Sequence, residues 1–138
     1  MIATDTNIRA RYDVDDPADA QAAGQRRRAE RVMRDSAHVY VPQSVVLDLT
    51  WVLRSFYAFS AVDCARVIEH LIGLPNVTVE AWPKVLEVAR PLRAGLDFAD
   101  ALHVASADAC EMFLTFDDRR FARRAQKPGC MPRVQTPA

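Results

Sequence analysis

Residues 95–107 read GLDFADALHVASA, and the interpretation of the whole chain starts from this stretch. Its spacing predicts a helix that is apolar except for two carboxylates near its start, Asp97 and Asp100. Residues three apart share a helix face, so the two charges repel each other. Asp97 can serve as a helix N-cap, whereas Asp100 lies a turn inside the apolar pattern. An ionised carboxylate buried there without a partner is unfavourable, so we expect a compensating cation.

Composition predicts one compact domain over residues 1–138. Half of the 138 residues are hydrophobic, which is enough for a substantial core. Lys plus Arg and Asp plus Glu both number 18, so net charge argues neither for a polyanionic partner nor against one. Arginines cluster in residues 26–34 and again in 119–124. These clusters are either solvated helix faces or a rim that binds phosphate groups.

The cysteines and the chain start predict a cytoplasmic protein without membrane contact. Cys64, Cys110 and Cys130 show no C-x-x-C spacing, so neither a zinc site nor a disulfide framework is indicated. The first residues lack the basic start and apolar run of a signal peptide. No stretch approaches the roughly 18 consecutive apolar residues of a membrane span.

Strand and helix patterns alternate along the chain. Strands are predicted at residues 2–4, 38–41, 76–80 and 112–116, with an edge strand at 133–135. Helices are predicted at residues 18–36, 42–57, 60–73, 82–94, 95–107 and 119–125. This alternation favours a mostly parallel sheet with helices on both faces.

Four acidic residues fall where such a sheet collects ligands. Asp5 and Asp117 each follow a predicted strand, and ligands gather at the carboxyl ends of parallel strands. Asp48 lies in a helix that is apolar nearly all round and is therefore predicted to be deeply buried, where it either pairs with an arginine or has a functional role. Asp100 completes the set. Carboxylates sharing one pocket need cations, and oxygen ligands select Mg²⁺ or Mn²⁺, which can activate water without a protein nucleophile.

The four acidic motifs, taken in order, resemble those of a known family. They read DTNI at 5–8, VVLDL with WVLR at 45–54, LDFADAL at 96–102 and LTFD at 114–117. Together they resemble a PIN domain, and most closely the VapC toxins of bacterial toxin–antitoxin pairs, over nearly the whole chain. The resemblance implies a three-layer α/β/α sandwich, Mg²⁺-dependent endoribonuclease activity, a homodimer and inhibition by a small cognate antitoxin.

The resemblance also assigns roles to individual residues. Asp5, Asp100 and Asp117 match acids that bind the metal ion. Asp48 stands where the family usually has Glu, so its shorter side chain is expected to reach the metal through water. Arg9 stands where an apolar residue is common. The supporting residues of the motifs are Thr6, Asn7, Asp97 and Thr115.

Two other functions compete with this one. A phosphatase of the haloacid-dehalogenase type would use Asp5 as its nucleophile, but the second acid it needs two residues later is Asn7 here. A non-catalytic module with a PIN-like fold would bind RNA or a partner protein, with Asp48 too short to complete the metal site.

Overall fold

A computed structural model describes all residues, 1–138, as a mixed α/β protein. The elements in chain order are β1 (Ile2–Ala3), α1 (Thr6–Asp13), α2 (Ala22–Asp35), β2 (Val39–Val41), α3 (Gln43–Ser55), α4 (Ala61–Gly73), β3 (Val77–Val79), α5 (Trp82–Arg93), α6 (Phe98–Ser106), β4 (Met112–Leu114), α7 (Arg123–Gln126) and β5 (Arg133–Gln135). A π-helical turn, Asp118–Ala122, precedes α7. None of the helices combines the length and hydropathy that crossing a membrane requires.

The chain forms two compact units. The first unit comprises Met1–Phe59 and His70–Trp82, and the second comprises Ser60–Glu69 and Pro83–Ala138. The first contains a three-stranded sheet in the order β1-β2-β3, and the second contains the β4-β5 pair. Every pairing is parallel, as the alternation of strands and helices predicts.

Strand β2 is the central strand of the three-stranded sheet in the first unit. It pairs with β1 and β3, and its Val39 and Val41 are fully buried. At the edge of the same sheet, β1 is exposed along its length, which corrects the expectation from its apolar sequence that residues 2–4 form a buried strand. A strand of two residues at a sheet edge has too few neighbours to cover its side chains.

Helix α3 is amphipathic, which corrects the expectation that it is deeply buried. Its buried residues are Val46, Leu49, Thr50 and Leu53. Trp51 is 68% exposed, and Asp48 is exposed as well. Asp48 forms no salt bridge, so it is not the buried member of an arginine pair.

Helix α1 was not predicted from the sequence, and it contains the most buried charge in the protein. The Arg9 side chain is completely inaccessible to solvent. Its Nη2 donates to both Oδ atoms of Asp13 at 3.1 Å, and its guanidinium carbon lies 4.7 Å from the centre of the Tyr12 ring. The Nε and Nη1 atoms are buried without a hydrogen-bond acceptor. Arg9 therefore occupies a core position with only one of its donor groups satisfied.

The start of α2 differs from the sequence prediction. The helix begins at Ala22, four residues later than expected, because residues 17–21 form turns in which the Asp16 and Asp19 carboxylates accept from the backbone N–H groups of Ala18 and Gln21. Such local bonds compete with helical ones.

A glycine connects α5 to α6 in the second unit and sets where the central acidic motif begins. Gly95 has a φ of 102°, which glycine adopts without steric cost. The Gly95 N–H donates to the Leu92 carbonyl and the Leu96 N–H to the Pro91 carbonyl, each at 3.0 Å, and these bonds close α5. Pro91 lies in the last turn without ending the helix. The chain then enters α6 directly after Asp97.

The remaining elements of the second unit agree with their predictions in position. The N–H of Asp63 donates to Ser60 Oγ at 3.1 Å, and this bond caps the start of α4. Strand β5 lies at the predicted residues and pairs with β4. Met112 and Leu114 of β4 are nonetheless about half exposed, at 47% and 52%, so the strand is less buried than its apolar sequence indicates.

Candidate functional site

Three of the predicted acidic residues line one cavity in the second unit. This acid cavity has a volume of about 510 Å³ and is lined by Asp97, Asp100, Asp117, Arg120 and Arg124. Two carboxylates come from the start of α6 and the third from the turn that follows β4. Segments about twenty residues apart in the sequence thus contribute acids of like charge to the same space.

Asp100 interacts electrostatically with both of the other acids that line this cavity. It lies in the first turn of α6 and is partly buried. Burial raises the pKa of its carboxyl, and the neighbouring charges of Asp97 and Asp117 raise it further. His103 and Arg124 lower the same pKa in part. The carboxylates therefore interact, as groups in a shared pocket must.

Asp97 occupies the N-cap position of α6 without acting as a cap through its side chain. Its backbone is extended, with φ −60° and ψ 143°, and its carbonyl accepts from the Ala101 N–H at 2.9 Å. The carboxylate makes no capping hydrogen bond. The sequence allows Asp97 to be an N-cap or a supporting residue of the acidic site. Because the capping bond is absent, its carboxylate is available to the cavity.

Asp117 is held in place by its neighbours. Its N–H donates to Thr115 Oγ1 at 3.0 Å, and its Oδ1 accepts from the Arg120 N–H at 2.9 Å. Thr115 thus fixes the backbone of the acid that follows it, which is a supporting role. One carboxylate oxygen of Asp117 caps the π-helical turn, and Oδ2 has no hydrogen-bond partner.

Two arginines complete the acid cavity, and the sequence did not single them out from their cluster. Arg120 and Arg124 are four residues apart and line the cavity together. Arg124 Nη1 donates to the Gly95 carbonyl at 3.4 Å. Arg123 instead pairs with Asp118 at 2.8 Å. Arg120 and Arg124 thus bring two positive charges beside the three carboxylates of the cavity.

The other predicted site residues belong to the first unit. Asp5 follows β1 and caps α1, where its Oδ1 accepts from the Ile8 N–H at 3.2 Å. Thr6 and Asn7 form the first turn of α1. Asp48 lies in the middle of α3. The convergence of Asp5 and Asp48 with the acids of the second unit stays a prediction.

The donor atoms of the acid cavity suit a hard divalent cation. Its possible ligands are carboxylate oxygens, which Mg²⁺ and Mn²⁺ prefer. No group of three or more acidic, histidine or cysteine side chains is arranged to hold a metal ion. Magnesium is nevertheless commonly bound through one or two carboxylates and keeps several of its waters. The cavity therefore fits a partly hydrated ion better than one enclosed by protein ligands.

Comparisons with known proteins assign no family to the chain. No protein-family model matches it, and a search of curated proteins finds no match.

Proposed function

We propose that this protein is a Mg²⁺-dependent endoribonuclease that hydrolyses RNA phosphodiester bonds and acts as the toxin of a toxin–antitoxin pair. The observation that carries the proposal is the acid cavity, in which Asp97, Asp100 and Asp117 lie together with two arginines. Carboxylates gathered beside guanidinium groups suit a reaction in which a cation and a phosphodiester are bound side by side.

The wider context of this proposal rests on the resemblance to PIN domains. It includes a single three-layer α/β/α domain, a homodimer, Mn²⁺ as an alternative metal, and a cytoplasmic location where a small antitoxin inhibits the enzyme. The parallel pairing of all strands is compatible with that architecture.

Different side chains have different roles in the proposed reaction. Asp5, Asp100 and Asp117 would hold the ion, with Asp48 acting through water and Asp97 adjusting the charge around Asp100. A bound divalent ion supplies an activated water and stabilises the leaving oxygen, so no protein nucleophile is needed. Arg120 and Arg124 are suited to bind the phosphate oxygens because a guanidinium donates two parallel hydrogen bonds. Thr115 holds Asp117 in position through the bond described above.

The decisive experiment measures RNA cleavage by protein purified free of any antitoxin. Labelled RNA is incubated with Mg²⁺, with Mn²⁺ and with a chelator, using wild type and Asp100→Asn. We expect metal-dependent cleavage by wild type and a loss of roughly 100-fold or more in the variant, because a ligand of the reactive centre is removed. Asp108→Asn is the matched control, since Asp108 is an exposed acid of the same unit outside the acid cavity.

Two results would contradict the proposal. Wild-type protein that binds RNA but never cleaves it would favour the binding module. Asp100→Asn protein that cleaves as fast as wild type would show that the acid cavity is not the active site. A phosphatase would instead form an aspartyl phosphate on Asp5, although the first turn of α1 contains no second acid.

A further inference from the structure

A second cleft lies between α1 and α2 in the first unit. This α1–α2 cleft has a volume of about 550 Å³ and contains no acidic side chain in its lining. Its lining residues are Asn7, Ile8 and Arg11 from α1 and Gln25, Arg28, Ala29 and Val32 from α2. The lining thus combines two guanidinium groups and two side-chain amides with three apolar side chains.

Arg11 is fixed in this cleft with part of its hydrogen-bonding capacity unused. Its Nη2 donates to Asp19 Oδ2 at 2.7 Å, and the other carboxylate oxygen of Asp19 accepts from the Gln21 N–H at 2.9 Å. Arg11 Nη1 is buried and has no hydrogen-bond partner. A buried N–H without an acceptor is costly, so an oxygen atom supplied from outside the chain would be stabilising at this point.

The other polar side chains of the cleft are free. Arg28 forms no salt bridge and no hydrogen bond, and the side-chain amides of Asn7 and Gln25 make no hydrogen bonds either. Three side chains without hydrogen-bond partners and the unpaired Nη1 atom of Arg11 therefore line one space. The charge of Arg11 is offset by Asp19, which leaves that of Arg28 uncompensated.

The positive charge continues along α2 beyond the cleft. Arg27 and Arg31 also form no salt bridge, whereas Arg26 is paired with Asp15 and Glu30. Several arginines without salt bridges along one helix suit a ligand with repeating negative charges better than they suit a single carboxylate.

We propose that the α1–α2 cleft binds a backbone phosphate of single-stranded RNA. This inference rests on the proposed function, because it takes RNA to be the substrate. Asp5 caps the same helix that contributes Arg11, and six residues of helix span about 9 Å. A strand held by Arg11 and Arg28 would therefore pass close to Asp5. The cleft adds affinity for RNA of any sequence, since phosphate contacts carry no base information.

The test measures binding without cleavage, so that it does not depend on catalysis. A fluorescein-labelled single-stranded RNA of roughly 12 nucleotides is titrated with protein in chelator, and anisotropy is recorded at several salt concentrations. The variants are Arg28→Gln, Arg28→Glu and the double variant Arg11→Gln/Arg28→Gln. Arg28 has no partner within the protein, so its replacement preserves folding, which circular dichroism verifies. Arg66→Gln is the control, because Arg66 is an exposed arginine on α4 outside the cleft.

We expect Arg28→Gln to weaken RNA binding several-fold, Arg28→Glu to weaken it more, and the double variant to weaken it most. The slope of log affinity against log salt should fall by about 0.7 for each phosphate group that a variant no longer binds, a change that a purely structural role would not produce. Arg66→Gln should bind as wild type does. Equal affinity and equal slope in wild type and the double variant would overturn the inference.

Two further measurements distinguish RNA from two other anionic ligands, free phosphate and an acidic protein segment. If inorganic phosphate raises the melting temperature of wild type but not of Arg28→Gln, while RNA binding is equal in both, the cleft binds free phosphate and the RNA assignment is wrong. In the second measurement, a poly-glutamate peptide is added as a competitor. If the peptide displaces RNA only from proteins that retain Arg28, although the variants bind RNA as tightly as wild type does, the ligand of the cleft is an acidic protein segment. Weaker RNA binding by the variants, together with no cleavage by wild type, would support this inference and contradict the nuclease.

Discussion

Arg9 shows how a single residue can depart from its expected environment and still be accommodated. Its side chain is completely buried and its charge is balanced by Asp13, which is itself 5% exposed. Burial lowers the pKa of Arg9, while the charge of Asp13 acts in the opposite direction. An arginine nevertheless stays protonated in proteins, so the pair survives as an ion pair whose partners depend on each other.

We predict strong coupling between these two residues in stability. Asp13→Leu should lower the free energy of unfolding by about 3–5 kcal/mol, because it leaves a buried charge unpaired. Arg9→Met should cost less, since the remaining carboxyl can be protonated. The double variant should be near wild type, as a buried ion pair replaced by apolar side chains often is. Urea denaturation of the four proteins measures this, and additive losses would contradict it.

The same pair predicts an unusual pH dependence. Burial raises the pKa of Asp13 from 3.8 to about 6, although Arg9 and His70 lower it in part. A raised pKa means that protonated Asp13 is favoured in the folded state. Its contribution to stability is therefore fully present below about pH 4 and is lost as the pH rises through about 6.

The free energy of unfolding of wild type, minus that of Asp13→Asn, should fall by roughly 2 kcal/mol between pH 4 and pH 7. Urea titrations of both proteins across this range provide the measurement. A difference that stays constant, or that grows with pH, would show that the pKa of Asp13 is not raised in the folded state.

At the scale of single elements, two proposed metal ligands also cap helical segments. Asp5 Oδ1 accepts from the Ile8 N–H at the start of α1, and Asp117 Oδ1 does so from the Arg120 N–H. Asn retains such an acceptor oxygen, whereas Ala does not. We expect Asp5→Ala and Asp117→Ala to lose about 1 kcal/mol of stability and the Asn variants clearly less.

Asp97 supplies the matched control for this prediction, because its side chain makes no capping bond. Asp97→Ala and Asp97→Asn should therefore differ little from each other in urea denaturation. If Ala and Asn variants of Asp5 and Asp117 were equally stable, the capping bonds would contribute nothing. The Asn variants are consequently the appropriate ones for activity measurements.

Elements with a regular apolar period were predictable, and α1 shows why others were not. The sequence of α1, TNIRARYD, has no apolar stripe, and its most buried side chain is an arginine. A periodicity argument assigns charged residues to solvent, so only the packing around Arg9 identifies this helix. Conversely, α3 has apolar residues at most of its positions, yet Trp51 is exposed because the buried residues of the helix lie on one face only.

The candidate site was predictable only in part, for a similar reason. The position of Asp117 after β4 follows from the strand-end rule, and the pairing of Asp97 with Asp100 follows from helical spacing. The selection of Arg120 and Arg124 from their cluster does not. Arg120 lies in the π-helical turn and Arg124 in α7, and a sequence of four similar arginines does not reveal which of them reach the cavity.

At the scale of the whole molecule, the net charge is zero, but acidic and basic side chains are unevenly distributed. Three acids share the acid cavity, while Arg28 of the α1–α2 cleft and Arg27 and Arg31 of the same helix form no salt bridge. Composition alone is therefore uninformative about partners here.

The proposed nuclease requires Asp5 and Asp100 to bind the same ion, which leads to a prediction about stability. A cation that binds only the folded chain raises stability by about 1.4 kcal/mol at ten times its dissociation constant, which corresponds to a few degrees in melting temperature. Millimolar Mg²⁺ or Mn²⁺ should therefore raise the melting temperature of wild type and of the control Asp108→Asn.

Asp5→Asn and Asp100→Asn should each remove most of this metal response, and the double variant should remove no more than either one alone. In the absence of metal, Asp100→Asn should be as stable as wild type or more stable, since it relieves repulsion from Asp97 and Asp117. Thermal unfolding followed by circular dichroism across a metal titration measures both effects. A full response in Asp5→Asn together with none in Asp100→Asn would mean that the two acids do not bind one ion, and the mechanism built on their convergence would then be wrong.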